Sequence, residues 1–389
     1  MLEDLTPAVK IDPPKDWKPA VEFDGTNGEA TLPALADDQK PDFDRFLIEA
    51  GFDPETIEIV GEPRTSRWQI ARPFPLEPQW LTAYKFRFRK RGAVNVDLPL
   101  LFAEAKKTKA PKTKPVDSDK CLILCLSDFQ VGKVDYRGGS KELIERVMAS
   151  YANIESYLKK NKYERIYILD LGDIIEGIEN AANLQQLATN DLSPMQQVDL
   201  AAALVWDCLK MATKYAPVTY ASIGSNHCQW RVSKQQVGKP GKDDWGIVIL
   251  QQLRRLATEV ELPINFLIPQ PDEESLIFDA FSDGFHLVGI AHGHQYSRPE
   301  NAITWWRQNT FGNQTISAAS LLLTAHFHHL RIVEAGASHN GGSRYWVQTT
   351  TSDNGSSWFK RVSGEDSQPG ITAVELTKQK YYTGAILRF

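Results

Sequence analysis

The sequence predicts an α/β fold of two packed sheets with helices outside, preceded by a small α+β module. Three observations predict it. From Lys120 onward, apolar β-prone runs alternate with amphipathic stretches of helical period. Beyond residue 264 short strands dominate, so an α/β half passes into a β-rich half. A Lys-, Thr- and Pro-rich stretch at 105–118 separates all of this from what precedes it.

Residues 1–40 are rich in Pro, Asp and Gly, lack apolar periodicity, and read as an extended acidic arm. The α+β module is expected at 41–104. Phe43, Phe46, Leu47 and Ala50 outline a short helix that stops at Gly51. Residues 56–74 read as a pair of short strands. Residues 80–91 alternate aromatic or apolar with basic side chains, a strand with one charged face. The linker at 105–118 is basic and reads as a solvated tether, with an added attraction for a phosphate backbone as the alternative.

The third region, 119–389, carries the α/β pattern. Strands are expected at 121–127, 165–171, 217–223 and 264–269. Helices are expected at 141–160, 193–216 (capped by Ser193) and 243–259. LIFDAF and 285–291 read as paired strands, and further strands follow at 320–325, 330–335 and 344–351. The C-terminal stretch from Ile371 reads as a hairpin. No internal repeat is visible.

Composition limits the class of protein. The chain has 389 residues, 42% hydrophobic and 24% charged, ordinary values for a soluble globular protein of two domains or one domain with an appendage. A net charge of −5 argues against a generally basic nucleic-acid coat but leaves room for a local basic groove. The four cysteines form no CxxC pair, and Cys121 and Cys125 fall on an expected buried strand, which fits a reducing compartment. The N-terminus lacks the basic-then-apolar pattern of a signal peptide. No apolar run approaches the roughly 18 residues of a membrane span. The expectation is a cytoplasmic protein, neither secreted nor membrane-bound.

The chemistry sits in a few short motifs. All eight histidines lie between His227 and His339. Five of them join Asp128, Asp173 and Asn226 in an ordered series: Asp128 with Gln130, Gly172-Asp173, Asn226-His227, His292 with His294, and His326 with His328. Most pieces directly follow an apolar β-prone run. Taken singly each is weak, because an Asp after a strand is commonly a turn or cap residue. Together they outline carboxylate, amide and imidazole donors on loops after successive strands, the layout of a two-metal site. Gln130 can reach the cation of Asp128 through its amide oxygen. The carboxylate of Asp173 can bridge two cations. The His326–His328 spacing puts both rings on one side of an extended segment.

The series resembles the calcineurin-like metallophosphoesterases, whose pattern runs Asp-x-His, Gly-Asp, Gly-Asn-His, His, then Gly-His-x-His. The resemblance covers roughly 120–335. It implies a four-layer αββα sandwich and two divalent cations. The first would be held by Asp128, Gln130, Asp173 and His328. The second would be held by Asp173, Asn226, His292 and His326. It also implies that His227 is the acid that contacts the phosphoryl group. The chain departs from the pattern at Gln130, which stands where the family has histidine, at Ser225 and Ala325, which stand where it has glycine, and at Cys228. A neutral oxygen donor at Gln130 shifts preference from zinc or iron toward manganese or magnesium. Of His292 and His294, the one at the strand end, His292, is taken as the ligand.

Residues 127–133, Trp230 with Arg231 after Asn226-His227, and the segment 353–370 resemble metallophosphoesterases encoded by tailed bacteriophages, near the recombination and repair nucleases. That implies a phosphodiesterase acting on DNA or RNA, a possible homodimer, and the host cytoplasm as its place of action. Arg231, His294 and Arg298 are candidate substrate contacts. Basic and aromatic residues interleaved between Arg64 and Arg91 could grip nucleic acid, or could simply be core and solvated face. Trp305 and Trp306 read as buried. A phosphomonoesterase with the same cations, or a catalytically weak binding protein, would fit the same motifs.

Overall fold

A computed structural model describes residues 17–23, 27–36, 39–70, 78–90, 117–178, 190–232, 235–338, 341–364, 366–379 and 385–389. The chain divides into two compact units at Ala93/Val94. Most of the expected linker, together with Arg91 and His339, lies outside the described residues.

The N-terminal unit contains β1 (Ala20–Phe23), β2 (Asn27–Thr31), β3 (Leu35–Ala36), α1 (Phe43–Glu49), β4 (Ile57–Ile70) and β5 (Gln79–Lys90). β5 is the centre of an antiparallel sheet, with β2 and β3 along one edge, β4 along the other, and β1 outside β2. Two expectations are corrected here. Residues 20–36, read as an arm, supply three strands. They are only four, five and two residues long, so the apolar residues they place in the small core, Val21 and Ala30 among them, are too few to show an alternation. In place of the pair of strands expected at 56–74, Ile57–Ile70 form one long strand, β4, and 71–74 lie outside the described residues. Gly61 and Pro63 mark a register slip between Val60 and Arg64 rather than a turn.

α1 starts at Asp42, whose carboxylate accepts from Arg45 N at 2.9 Å, and ends before Gly51 at φ +88°. Leu47 packs with Ala30, Ile57, Phe86 and Phe88 to make the small core. Phe86 and Phe88 are thus core residues, and Lys85, Arg87 and Arg89 take the opposite face of β5.

The C-terminal unit begins with β6 (Lys120–Leu126), α2 (Ser140–Leu158), β7 (Arg165–Asp170), α3 (Pro194–Ala212) and β8 (Val218–Ser222). A two-stranded ribbon, β9 (Arg231–Val232) and β10 (Gln235–Gln236), precedes α4 (Trp245–Glu259) and β11 (Ile264–Leu267). Then come β12 (Ser275–Asp279), β13 (Leu287–Ala291), α5 (Ala302–Phe311), β14 (Leu321–Thr324), β15 (Arg331–Ala337) and β16 (Ser343–Gln348). The chain closes with α6 (Ser357–Ser363), β17 (Thr372–Thr377) and β18 (Ile386–Arg388).

The first sheet runs β11-β8-β7-β6-β17-β18, parallel through β6 and antiparallel beyond it. The second runs β12-β13-β14-β16-β15, with its three central strands parallel. β6 shows how the sheets stack. Leu122, Leu124 and Leu126 pack on the layer of α2, α3 and α4, and Cys121, Ile123 and Cys125 pack on the second sheet. Both faces are buried, so the strand reads as a continuous apolar run. On the far face of the second sheet, Leu322 and Trp346 meet Ala302 and Trp306 of α5. The order helix, sheet, sheet, helix is the four-layer αββα arrangement expected. Trp306 is buried and its indole N–H donates to Ile316 O at 3.0 Å, while Trp305 is half-buried.

Ser193 caps α3 and Asp244 caps α4, the latter accepting from Gly246 N at 2.8 Å. The four cysteines are buried and free. Burial disfavours their thiolates and pushes Cys121 and Cys208 up to about 12, with Cys125 and Cys228 also raised. An exposed thiol has a pKa of about 8.5. The folded protein is therefore expected to leave all four thiols unreacted toward a thiol reagent at about pH 8, and to release four on unfolding. Fast reaction of any thiol in the native state would contradict the packing described for β6 and α3.

Candidate metal centre

The parallel strands of both sheets point their C-terminal ends at one place, where ligands gather in open α/β sheets. Asp128 follows β6, Asp173 follows β7, and Asn226 with His227 follows β8. His292 follows β13, and His326 with His328 follows β14. The backbone there is strained. Eight described non-glycine residues have positive φ, and five are Asp128, Gln130, Asp173, His326 and His328. Such strain clusters where surrounding structure over-determines a functional geometry.

Neighbouring residues hold these turns. Gly172, at φ +98°, has no room for a side chain: a Cβ would sit 2.5 Å from Ser225 Cβ and 2.7 Å from His292 Nδ1. Ser225, one of the departures from the family pattern, has a use. Its Oγ accepts from Asp173 N at 2.7 Å, and its own N donates to Asp244 at 3.0 Å. Asp244 is fully buried, and desolvation raises its carboxyl to about 8. At the other small position, Ala325 N donates to His292 O at 2.7 Å and ties the β13 and β14 loops together.

Asp173, His292 and His326 bring one donor atom each within 4.8 Å of one another. His292 is fully buried. Its Nδ1 donates to Leu171 O at 2.8 Å, which aims Nε2 inward. That Nε2 lies 2.9 Å from Asp173 Oδ2 and 3.3 Å from His326 Nδ1. Burial, then the neighbouring His292, pull His326 down to about 2, so its ring is neutral and able to ligate. Asn226 Oδ1 is buried without a hydrogen-bond partner. Buried polar atoms are rarely left this way. A carboxylate, two imidazoles and an orphaned amide oxygen fit a divalent cation.

The donors of the other expected cation are differently placed. Both oxygens of Asp128 face His326 N, at 3.2 and 3.1 Å. Gln130 Oε1 accepts from Lys133 Nζ at 2.5 Å. His328 stands between two carboxylates, with Nε2 3.5 Å from Asp128 Oδ1 and Nδ1 3.2 Å from Asp353 Oδ2. Burial opposes a charge on His328, but Asp353 and Asp128 outweigh it and lift the ring to about 10. The ammonium of Lys133 thus takes the oxygen that Gln130 would offer a cation, which distinguishes this set from the first.

His227 lines the same cavity, of about 510 Å³, with Asp173, Asn226, His326, Gln130 and Lys133. Its Nδ1 faces Glu176 O at 2.9 Å, which turns Nε2 toward Asp173 Oδ2, 3.9 Å away. Burial works against its charge, but Asp173 and Glu176 prevail and raise it to about 9. His294 pairs through Nε2 with Glu274 at 3.2 Å, with its ring 5.4 Å from that of His292. Arg231 reaches Gln229 Oε1 at 2.6 Å, and Arg298 is exposed beside the cavity-lining Ser297. Neither arginine is among the residues lining the cavity.

Sequence reasoning missed Glu176, Lys133 and Asp353. Asp353 carried only a weak signal: it comes after β16, but beyond the polar stretch Thr349–Ser352 rather than directly at the strand end as Asp128 does after β6. It is buried, and although burial alone would raise its carboxyl, Lys133 and His328 hold it far below the usual range. Its Oδ2 takes Lys133 Nζ at 2.8 Å. Asp353→Ala would leave a buried ammonium and a buried imidazolium facing each other. It is expected to lower unfolding free energy by about 3–5 kcal/mol, read from a urea titration. A loss under about 1 kcal/mol would mean that Lys133 escapes to solvent.

No family model matches the sequence, and no curated protein matches it. Among solved structures the chain is similar to Vps29 complexed with zinc from Entamoeba histolytica, at 12% identity over 69% of this chain and 98% of that one, TM-score 0.29. A conserved uncharacterized protein from Streptococcus pneumoniae, described as a predicted phosphoesterase, gives 12% identity over 69% and 98%, TM-score 0.25. The purple acid phosphatase PPD1 from yellow lupin seeds gives 11% identity over 92% of this chain and 69% of that one, TM-score 0.31. Likeness at this level leaves the chemistry to be read from the site itself. Among the described residues no helix is long and apolar enough to cross a membrane.

Proposed function

We propose that the C-terminal unit is a divalent-metal-dependent phosphoesterase, and that its substrate is a phosphodiester of DNA or RNA. The observation that carries the hydrolase reading is the convergence of Asp173, His292 and His326 within 4.8 Å at the ends of three parallel strands. Asp173, Asn226, His292 and His326 would hold the cation. When bound, it supplies a Lewis acid for the phosphoryl oxygens. Manganese or magnesium suits the oxygen donors of Asp173 and Asn226.

The chain's own groups do the rest. Glu176 orients His227, whose Nε2 faces the cavity and can hand a proton to the leaving oxygen. Lys133 lines the same cavity and faces it with a positive charge. Support for a nucleic-acid ester comes from the N-terminal unit. Arg64, Lys85 and Arg87 crowd a single carboxylate, Glu29, at 3.2, 2.5 and 3.7 Å, so that face keeps an excess of positive charge. On the same strand pair Arg67 lies 4.6 Å over the half-exposed ring of Trp80, a platform on which a base could stack.

The test is hydrolysis of bis-p-nitrophenyl phosphate, p-nitrophenyl phosphate, and labelled DNA and RNA, with manganese, magnesium or a chelator. Diester and nucleic-acid cleavage that needs a divalent cation is the expected result. Cleavage of the monoester alone would replace the nuclease reading with a phosphomonoesterase. Inactivity on every ester, with no cation held, would overturn the hydrolase reading.

A further inference from the structure

The two halves of the expected dinuclear centre differ in what already contacts them. In the half made by Asp173, Asn226, His292 and His326, one amide oxygen lacks any partner, and a carboxylate oxygen lies 2.9 Å from an imidazole nitrogen. In the half made by Asp128, Gln130 and His328, Asp128 accepts from His326 N, Gln130 Oε1 accepts from an ammonium, and His328 Nδ1 faces the carboxylate of Asp353. The group that meets Gln130 is the ammonium of Lys133.

Lys133 is three residues beyond Gln130 on the same loop, and the short reach is what lets it fold back. Its Nζ is fixed between Gln130 Oε1 at 2.5 Å and Asp353 Oδ2 at 2.8 Å. The side chain is 12% exposed and borders the cavity. An amide oxygen is a good partner for an ammonium, whereas an imidazole at position 130 would be better suited to a metal and poorer for lysine. Gln130 and Lys133 therefore belong together, and Asp353 anchors the pair.

We propose that Lys133 takes the place of one of the two cations: the centre holds a single divalent ion tightly, and the ammonium supplies the second positive charge beside it. The inference rests on the metal-dependent reading above and specifies how that site is charged. A positive side chain fixed over Gln130 repels a cation at Asp128, Gln130 and His328, and leaves the other set untouched. The ammonium cannot polarise water as a divalent ion does, so its part is to neutralise phosphoryl oxygens.

The experiment is manganese binding to the full chain after chelator treatment, by calorimetry and metal analysis, with low-temperature electron paramagnetic resonance. The wild type is expected to take up one ion tightly and to give the spectrum of an isolated Mn(II). Lys133→Ala is expected to bind a second ion about 10- to 100-fold more tightly than the wild type does, with a spin-coupled spectrum. Lys133→Arg, which keeps the charge, should remain at one. A wild type that holds two ions with a coupled spectrum would overturn the inference and leave the phosphoesterase reading intact. So would a folded Lys133→Ala that still holds one. If Lys133→Ala does not fold, the wild-type count and spectrum decide alone. A wild type that holds no ion would overturn both readings.

Discussion

Asp173→Ala is expected to lose the divalent cation and, with it, all ester hydrolysis. Asp173 contacts both His292 and His227 at the centre of the site. Its Oδ2 lies 2.9 Å from His292 Nε2 and its Oδ1 accepts from His227 N at 2.9 Å. Burial penalises its charge, but His292 and His227 hold the carboxyl well below its usual range, so it is ionised throughout the neutral region. Removing a group that merely orients a ligand costs about 10- to 100-fold in metal affinity. Removing the carboxylate itself should cost more than about 100-fold, read as manganese affinity by calorimetry. Circular dichroism should stay unchanged, because Ser225 and Gly172 keep the turn. Retention of metal and activity in a folded Asp173→Ala would remove the basis for the assigned centre.

His227→Ala is expected to give a different signature, a fall in kcat of about 10²- to 10⁴-fold with metal content unchanged. Its side chain lines the cavity, and Glu176 fixes its ring. The loss should be largest for esters with poor leaving groups and small for a nitrophenyl ester, which departs without a proton. An equal loss on both kinds of substrate would argue against proton donation and for charge stabilisation alone. Loss of the cation along with activity would make His227 a ligand instead.

Much of the architecture could be read from the chain because its physics is local. β6, β7, β8, β13 and β14 are short apolar runs, and α2 and α4 carry an apolar face of helical period. Ser193 announced one helix start through its capping side chain. The N-terminal strands at 20–36 escaped notice for a physical reason. They are only four, five and two residues long, too short for an apolar alternation to stand out from the Pro- and Asp-rich residues around them. The slip in β4 was likewise read as a break, because Gly61 and Pro63 signal a turn as readily as a bulge.

The site divides along the same line. The sequence by itself determined which residue types follow which strands: Asp128, Asp173, Asn226, His227, His292, His326 and His328, each placed by a strand end. It also determined that His292, and not His294, sits at the strand terminus where the fold closes. Only the tertiary structure decided what those side chains meet. It set the His292 ring against Leu171 O, gave His294 to Glu274, and left Asn226 Oδ1 without a partner. It also brought Asp353 from a distant loop to Lys133 and His328. Strand ends are a property of neighbouring residues, legible from periodicity. The sign and spacing of charges inside a cavity depend on groups more than two hundred positions apart, such as Lys133 and Asp353, which only the packing of two sheets brings within 2.8 Å.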